Sequence, residues 1–91
     1  MATIKFKIEV DHPNALAYVN IIQYENDNYW EIKRPNVEVA VEISSGESRY
    51  AFINVLAPSG TIFRFYKEGS VIFSDKTDQN NAFGDYIIVH A

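Results

Sequence analysis

No cysteine occurs in this chain, which excludes disulfides, thiolate metal sites and thiol nucleophiles together. No apolar run approaches the roughly 20 residues of a membrane span. The first ten residues alternate charged and apolar side chains and lack the continuous apolar region of a signal peptide. The expectation is therefore a chain without membrane contact, cytoplasmic by default. Basic residues are also few, with 8 Lys and Arg against 12 Asp and Glu and a net charge of −4. They are scattered, Lys33-Arg34 being the only adjacent pair. Affinity for phosphate backbones rests on clustered cations, so nucleic acid is not expected as a partner. The Gly-x-Ser-x-Gly elbow is missing too. His12 and His90 sit at predicted strand ends, where they would form a pair only if the topology brought those ends to one pole. No enzyme is expected.

Apolar and aromatic side chains are plentiful. They make up 47% and 14% of the 91 residues, enough for one core and too little chain for a second, so residues 1–91 read as a single domain. Thr3 to Val10 alternates strictly, with Ile4, Phe6, Ile8 and Val10 on one face and Lys5, Lys7 and Glu9 on the other, the pattern of a half-buried strand. Val37 to Ile43 repeats it, setting Val37, Val39, Val41 and Ile43 against Glu38, Ala40 and Glu42. Tyr29 to Lys33 is a short strand with Trp30 and Ile32 on one face. Leu16 to Tyr24 is apolar nearly throughout, which fits a strand covered on both sides or lying against a partner; a helix competes through Ala15-Leu16-Ala17, but the β-branched Val19, Ile21 and Ile22 favour the strand. Tyr50 to Ala57 is another strand with apolar residues on both faces, interrupted by Asn54.

Turn chemistry separates these runs. Asp11-His12-Pro13-Asn14, Pro35-Asn36, Ser44 to Ser48 and Pro58-Ser59-Gly60 all carry residues that bond to nearby backbone or adopt special dihedral angles. Thr61 to Asp75 reads as a hairpin. A three-residue loop Lys67-Glu68-Gly69 would set Phe65 opposite Val71 and Phe63 opposite Phe73, whereas a two-residue loop would split these four between faces. Lys76 to Gly84 has no strand pattern, and Tyr86 to His90 is a last apolar strand. Seven or eight strands at this spacing predict an all-β fold, an antiparallel β-sandwich, with a small β-barrel as the alternative. The Trp on the third strand resembles the placement in immunoglobulin-like sandwiches, which implies architecture only.

Three groups of residues could carry recognition. Tyr24, Tyr29 and Trp30 bracket a polar tip that includes Asp27, and rings with polar handles suit protein interfaces and sugar stacking. Glu38 and Glu42, with Glu31 on a neighbouring strand, would form an acidic patch able to meet a basic groove. Asp75, Asp78, Asn80, Asn81 and Asp85 offer side-chain oxygens of the kind calcium takes. That last stretch resembles the Asp/Asn-rich loop before the final strand in some calcium-dependent bacterial sugar-binding sandwiches. Local side-chain to backbone bonds in a long turn explain the same composition. The function expected is a non-catalytic protein that docks on a protein partner or self-associates, as an assembly subunit or small acidic inhibitor. The alternative is a carbohydrate-binding module assisted by calcium.

Overall fold

The computed structural model describes residues 2–22 and 29–91. These residues form strands β1 (Ala2–Val10), β2 (Leu16–Ile22), β3 (Tyr29–Ile32), β4 (Glu38–Ile43), β5 (Ser48–Leu56), β6 (Ile62–Lys67), β7 (Ser70–Lys76) and β8 (Ala82–His90). Two antiparallel four-stranded sheets, β4-β1-β6-β7 and β3-β2-β5-β8, pack face to face. The expected sandwich is therefore the fold, and the sheets do not close into a barrel. The connectivity is not that of an immunoglobulin domain, in which the second and third strands lie in opposite sheets. Here β2 and β3 are hydrogen-bonded neighbours, with Ile21 opposite Trp30.

Alternation decides which residues enter the core. The inward set of β1 (Ile4, Phe6, Ile8, Val10) meets Ala17, Val19 and Ile21 of β2 and Ala51, Ile53 and Val55 of β5, all buried in one cluster. Burying a side chain of Val, Ile or Phe size contributes about 1.5–3 kcal/mol. Phe6 and Phe65 stack with centroids 5.5 Å apart and planes 6° from parallel. Phe63, Phe73 and Phe83 form a ring cluster at 4.7–6.1 Å across β6, β7 and β8, joining the two sheets along one side.

The hairpin corrects one expectation. Its turn has two residues, Glu68 and Gly69, with φ of 50° and 79°, the backbone of a type I′ turn whose twist matches the flanking strands. Lys67 pairs with Ser70 and Tyr66 with Val71, and then the register shifts so that Phe65 meets Phe73 and Phe63 meets Asp75. Ile72 is the extra residue of a β-bulge. The bulge turns Phe73 inward while Val71 stays outward, and so reconciles a two-residue turn with the apolar face.

The last strand is also longer than its sequence pattern indicates. It begins at Ala82, and Ala82 to Asp85 pair with Leu56 to Ile53. Gly84 faces Asn54, whose Oδ1 lies 3.3 Å from where a Cβ at residue 84 would stand. Glycine at this strand position is thus a matter of close approach rather than of a turn.

Candidate functional site

The outer face of the β2-β5-β8 layer is the most unusual surface of the molecule. On β2, the residues between the buried Ala17, Val19 and Ile21 point outward, namely Leu16, Tyr18, Asn20 and Ile22. On β5 the alternation is complete, with Tyr50, Phe52, Asn54 and Leu56 outward. On β8, Tyr86 and Ile88 lie opposite Phe52 and Tyr50. Leu16 is 65%, Phe52 39% and Tyr86 51% exposed. Among the described residues, none of the outward positions of β2, β5 and β8 is an Asp, Glu, Lys or Arg. Scattered exposed apolar residues are ordinary, but a contiguous patch of this kind marks a contact surface.

Two shallow depressions lie on this face. One, of about 300 Å³, is lined by Ile22, Tyr50, Phe52 and Tyr86. The other, of about 290 Å³, lies between Leu16, Ala17, Tyr18, Lys33, Asn54 and Leu56. The rings around the first are mutually inclined. Phe52 and Tyr86 are 5.6 Å apart and tilted by 39°, Tyr50 and Phe52 6.4 Å apart and tilted by 39°, and Tyr50 meets Tyr86 edge-on at 67°. Such edge and tilted contacts between rings are favourable, and they leave an uneven apolar relief rather than a common plane.

The opposite outer face is mainly polar, with Ile62 and Val71 exposed on β6 and β7, and several of its charges are paired. Arg64 Nη1 donates to Glu9 Oε1 at 3.1 Å and to Asp11 Oδ1 at 3.0 Å. The Tyr66 hydroxyl donates to the same Glu9 oxygen at 3.0 Å, and Lys7 Nζ lies 4.5 Å above the Tyr66 ring. The Arg64 guanidinium is held above its usual pKa, first by its hydrogen bond to Asp11 and by that charge, then by Glu9. Glu9 accepting from the Tyr66 phenol likewise raises its pKa.

The residues singled out from the sequence are dispersed. Tyr24 and Asp27 lie outside the described residues. Tyr29 opens β3 opposite Ile22. Trp30 is half-buried against the core, so its ring is engaged in packing rather than offered as a free platform. Glu38 and Glu42 are exposed on β4, where their cross-strand neighbours are Lys7 and Thr3 and where Glu38 lies 4.0 Å from Lys5. Glu31 belongs to the other sheet and pairs with Lys33 at 3.4 Å. The acidic patch expected on neighbouring strands is therefore divided between two sheets and partly neutralised.

Side-chain oxygens of the Asp/Asn stretch are engaged by backbone amides. Asp78 Oδ1 accepts from the amides of Asn80 at 2.8 Å and Ala82 at 3.3 Å, and Asn81 Oδ1 from the amide of Ser59 at 2.9 Å. Asp75 and Asp85 each accept from the following amide at 2.8 Å. Asp75 lies on β7 and Asp85 on β8, in opposite sheets. Among the described residues, no three His, Cys, Asp or Glu side chains gather as metal ligands. His12 Nδ1 accepts from the Asn14 amide, while His90 Nδ1 lies 2.7 Å from Ser48 Oγ beside the β4–β5 turn. The two histidines have separate local partners.

The apolar face was partly written in the sequence, in the apolar doublets of β2 and β5. Pairing alone adds Tyr86 and Ile88 to it. Compared with protein-family models, curated proteins and solved structures, the chain matches none.

Proposed function

We propose that this protein is a non-catalytic interaction module that docks on a protein surface through the outer face of its β2-β5-β8 layer. The observation that carries the reading is the asymmetry of the two outer faces. One is mainly polar, with Lys5, Glu9, Asp11, Arg64 and Glu38 in ion pairs. The other sets Phe52, Tyr86, Tyr50 and Leu56 in an apolar patch, with Lys33 lining the depression beside Leu56 and paired with Glu31 at the rim. An apolar, aromatic centre bounded by a polar rim is the anatomy of a protein interface. Sugar stacking is served less well, because the mutual tilts of 39–67° deny the rings a common plane for a saccharide.

A photo-crosslinking amino acid placed at position 86, and separately at position 5 on the opposite face, tests this in cells producing the protein. Covalent adducts with protein are expected from position 86 and not from position 5, and Phe52→Lys is expected to abolish them. Equal yields from the two faces, or none from position 86, would sink the reading.

A further inference from the structure

We infer that the occupant of this face is a second copy of the same chain, the two sandwiches stacked layer on layer about a twofold axis. The inference rests on the docking reading above and commits it to one partner.

Charge supports a second copy first. Each chain carries −4 overall, so two copies repel through most of their surfaces. The outward positions of β2, β5 and β8 are the exception, since among the described residues they hold no ionised side chain to oppose its own image, and Glu31 beside them on β3 is paired with Lys33 at 3.4 Å. An isologous contact places each patch on itself, so an uncharged patch is self-compatible. The polar side chains within it agree. Asn20 and Asn54 each offer an amide with both donors and an acceptor, which can bond to the same amide of a symmetry mate.

Size supports it next. The molecule measures 38 × 24 × 18 Å. Two sheets stack about 10 Å apart, so the shortest dimension is the stack and 38 × 24 Å the plan of one face. β2, β5 and β8 make up three of the four strands across that plan, so their outer face approaches the order of the 800 Å² per partner that a stable interface buries. The strand pattern agrees, because β2 and β5 carry apolar residues on both faces, while a single chain covers only one of them. A second copy supplies the missing layer.

Sedimentation velocity over a dilution series of the purified protein is the test. A species of twice the 10.4 kDa chain mass is expected at high concentration. Phe52→Lys and Tyr86→Lys should each raise the dimer Kd at least about tenfold, with folding checked by circular dichroism. Should a variant fail to fold, mixed labelled and unlabelled wild-type chains provide the readout, through intermolecular NMR contacts from the Phe52 and Tyr86 rings. A monomer at every concentration overturns the inference, as does a dimer indifferent to both substitutions or contacts confined to other strands. A monomer that still gives the position-86 adduct in cells overturns the second copy and leaves the docking reading standing. A monomer without that adduct overturns both.

Discussion

Thr61 and Thr77 hold each other by two hydrogen bonds. The Thr77 amide donates to the Thr61 carbonyl at 3.0 Å, and the Thr61 amide donates to Thr77 Oγ1 at 3.1 Å. The Thr77 hydroxyl itself donates to the Pro58 carbonyl at 2.7 Å, and the residue is buried. Residues 57–61 carry the chain from β5 to β6 and residues 77–81 carry it from β7 to β8, both passing between the sheets. One hydroxyl thus fastens two crossovers at the same end of the sandwich. Thr77→Val keeps the shape and removes the donor and acceptor, so a loss of about 1–3 kcal/mol is expected. Urea unfolding with an unchanged slope would register it, and an unaltered midpoint would show that the hydroxyl is dispensable.

Gly69 offers a test of backbone conformation free of packing. Its φ is 79°, and a Cβ added there would meet nothing within 4 Å. Any penalty for Gly69→Ala therefore comes from forcing an L side chain into the left-handed region, about 1 kcal/mol. Gly69→Asn should lose less, because Asn tolerates that region. Thermal unfolding of the pair checks the order. Equal losses would place the cost elsewhere in the turn.

The same hairpin marks how far the sequence could be read. The strand cores were legible, because alternation in Ile4 to Val10 and Val39 to Ile43 follows directly from burial of one face, but Val37, expected on that face, precedes β4 and is 46% exposed. The bulge at Ile72 was not. Its signal is the need to bring Phe73 inward past a two-residue turn, and that need exists only once Phe63 and Phe83 are known to lie beside Phe73. The start of β8 was hidden in a similar way, since Gly84 and Asp85 carry turn composition and only the pairing with Asn54 and Ile53 makes them a strand. For the candidate site, the doubly apolar strands are visible in the sequence, but the Trp30 ring, whose chemistry suits recognition equally well, packs against the core. A ring's composition does not reveal its face.

Alkaline pH should act through Tyr66. Its hydroxyl donates to Glu9, and ionising it would remove that bond and set a second negative charge beside the carboxylate, so its pKa stands above the ordinary value near 10.0. The folded chain therefore holds this proton more tightly than the unfolded one. The resulting stabilisation is complete below the ordinary phenol pKa and is lost as pH rises through the raised folded value. Phenolate absorbance should show a component above the ordinary range that Tyr66→Phe removes and Glu9→Gln moves back toward it. A titration unchanged by Glu9→Gln would refute the assigned cause.

Arg49 occupies a position that an apolar residue could fill. It lies on the inward side of β5 and is only 6% exposed. Its Nη1 reaches Glu47 at 2.8 Å and the Ser48 carbonyl at 2.9 Å, while its buried Nε has no partner among the described residues. Taking a guanidinium out of water is costly, and one ion pair to a half-exposed carboxylate offsets only part of that cost. Two substitutions should therefore move in different directions. Glu47→Gln leaves the buried cation poorly compensated and should lower the unfolding midpoint. Arg49→Met keeps an extended chain of similar volume, removes the unsatisfied donor and should be neutral or stabilising, within about 1–4 kcal/mol. In the Arg49→Met background, Glu47→Gln should then have little effect, because the charge it compensates is gone. A double-mutant cycle read by urea unfolding measures that coupling. If Arg49→Met destabilises as strongly as Glu47→Gln, the guanidinium is making favourable contacts that outweigh its desolvation.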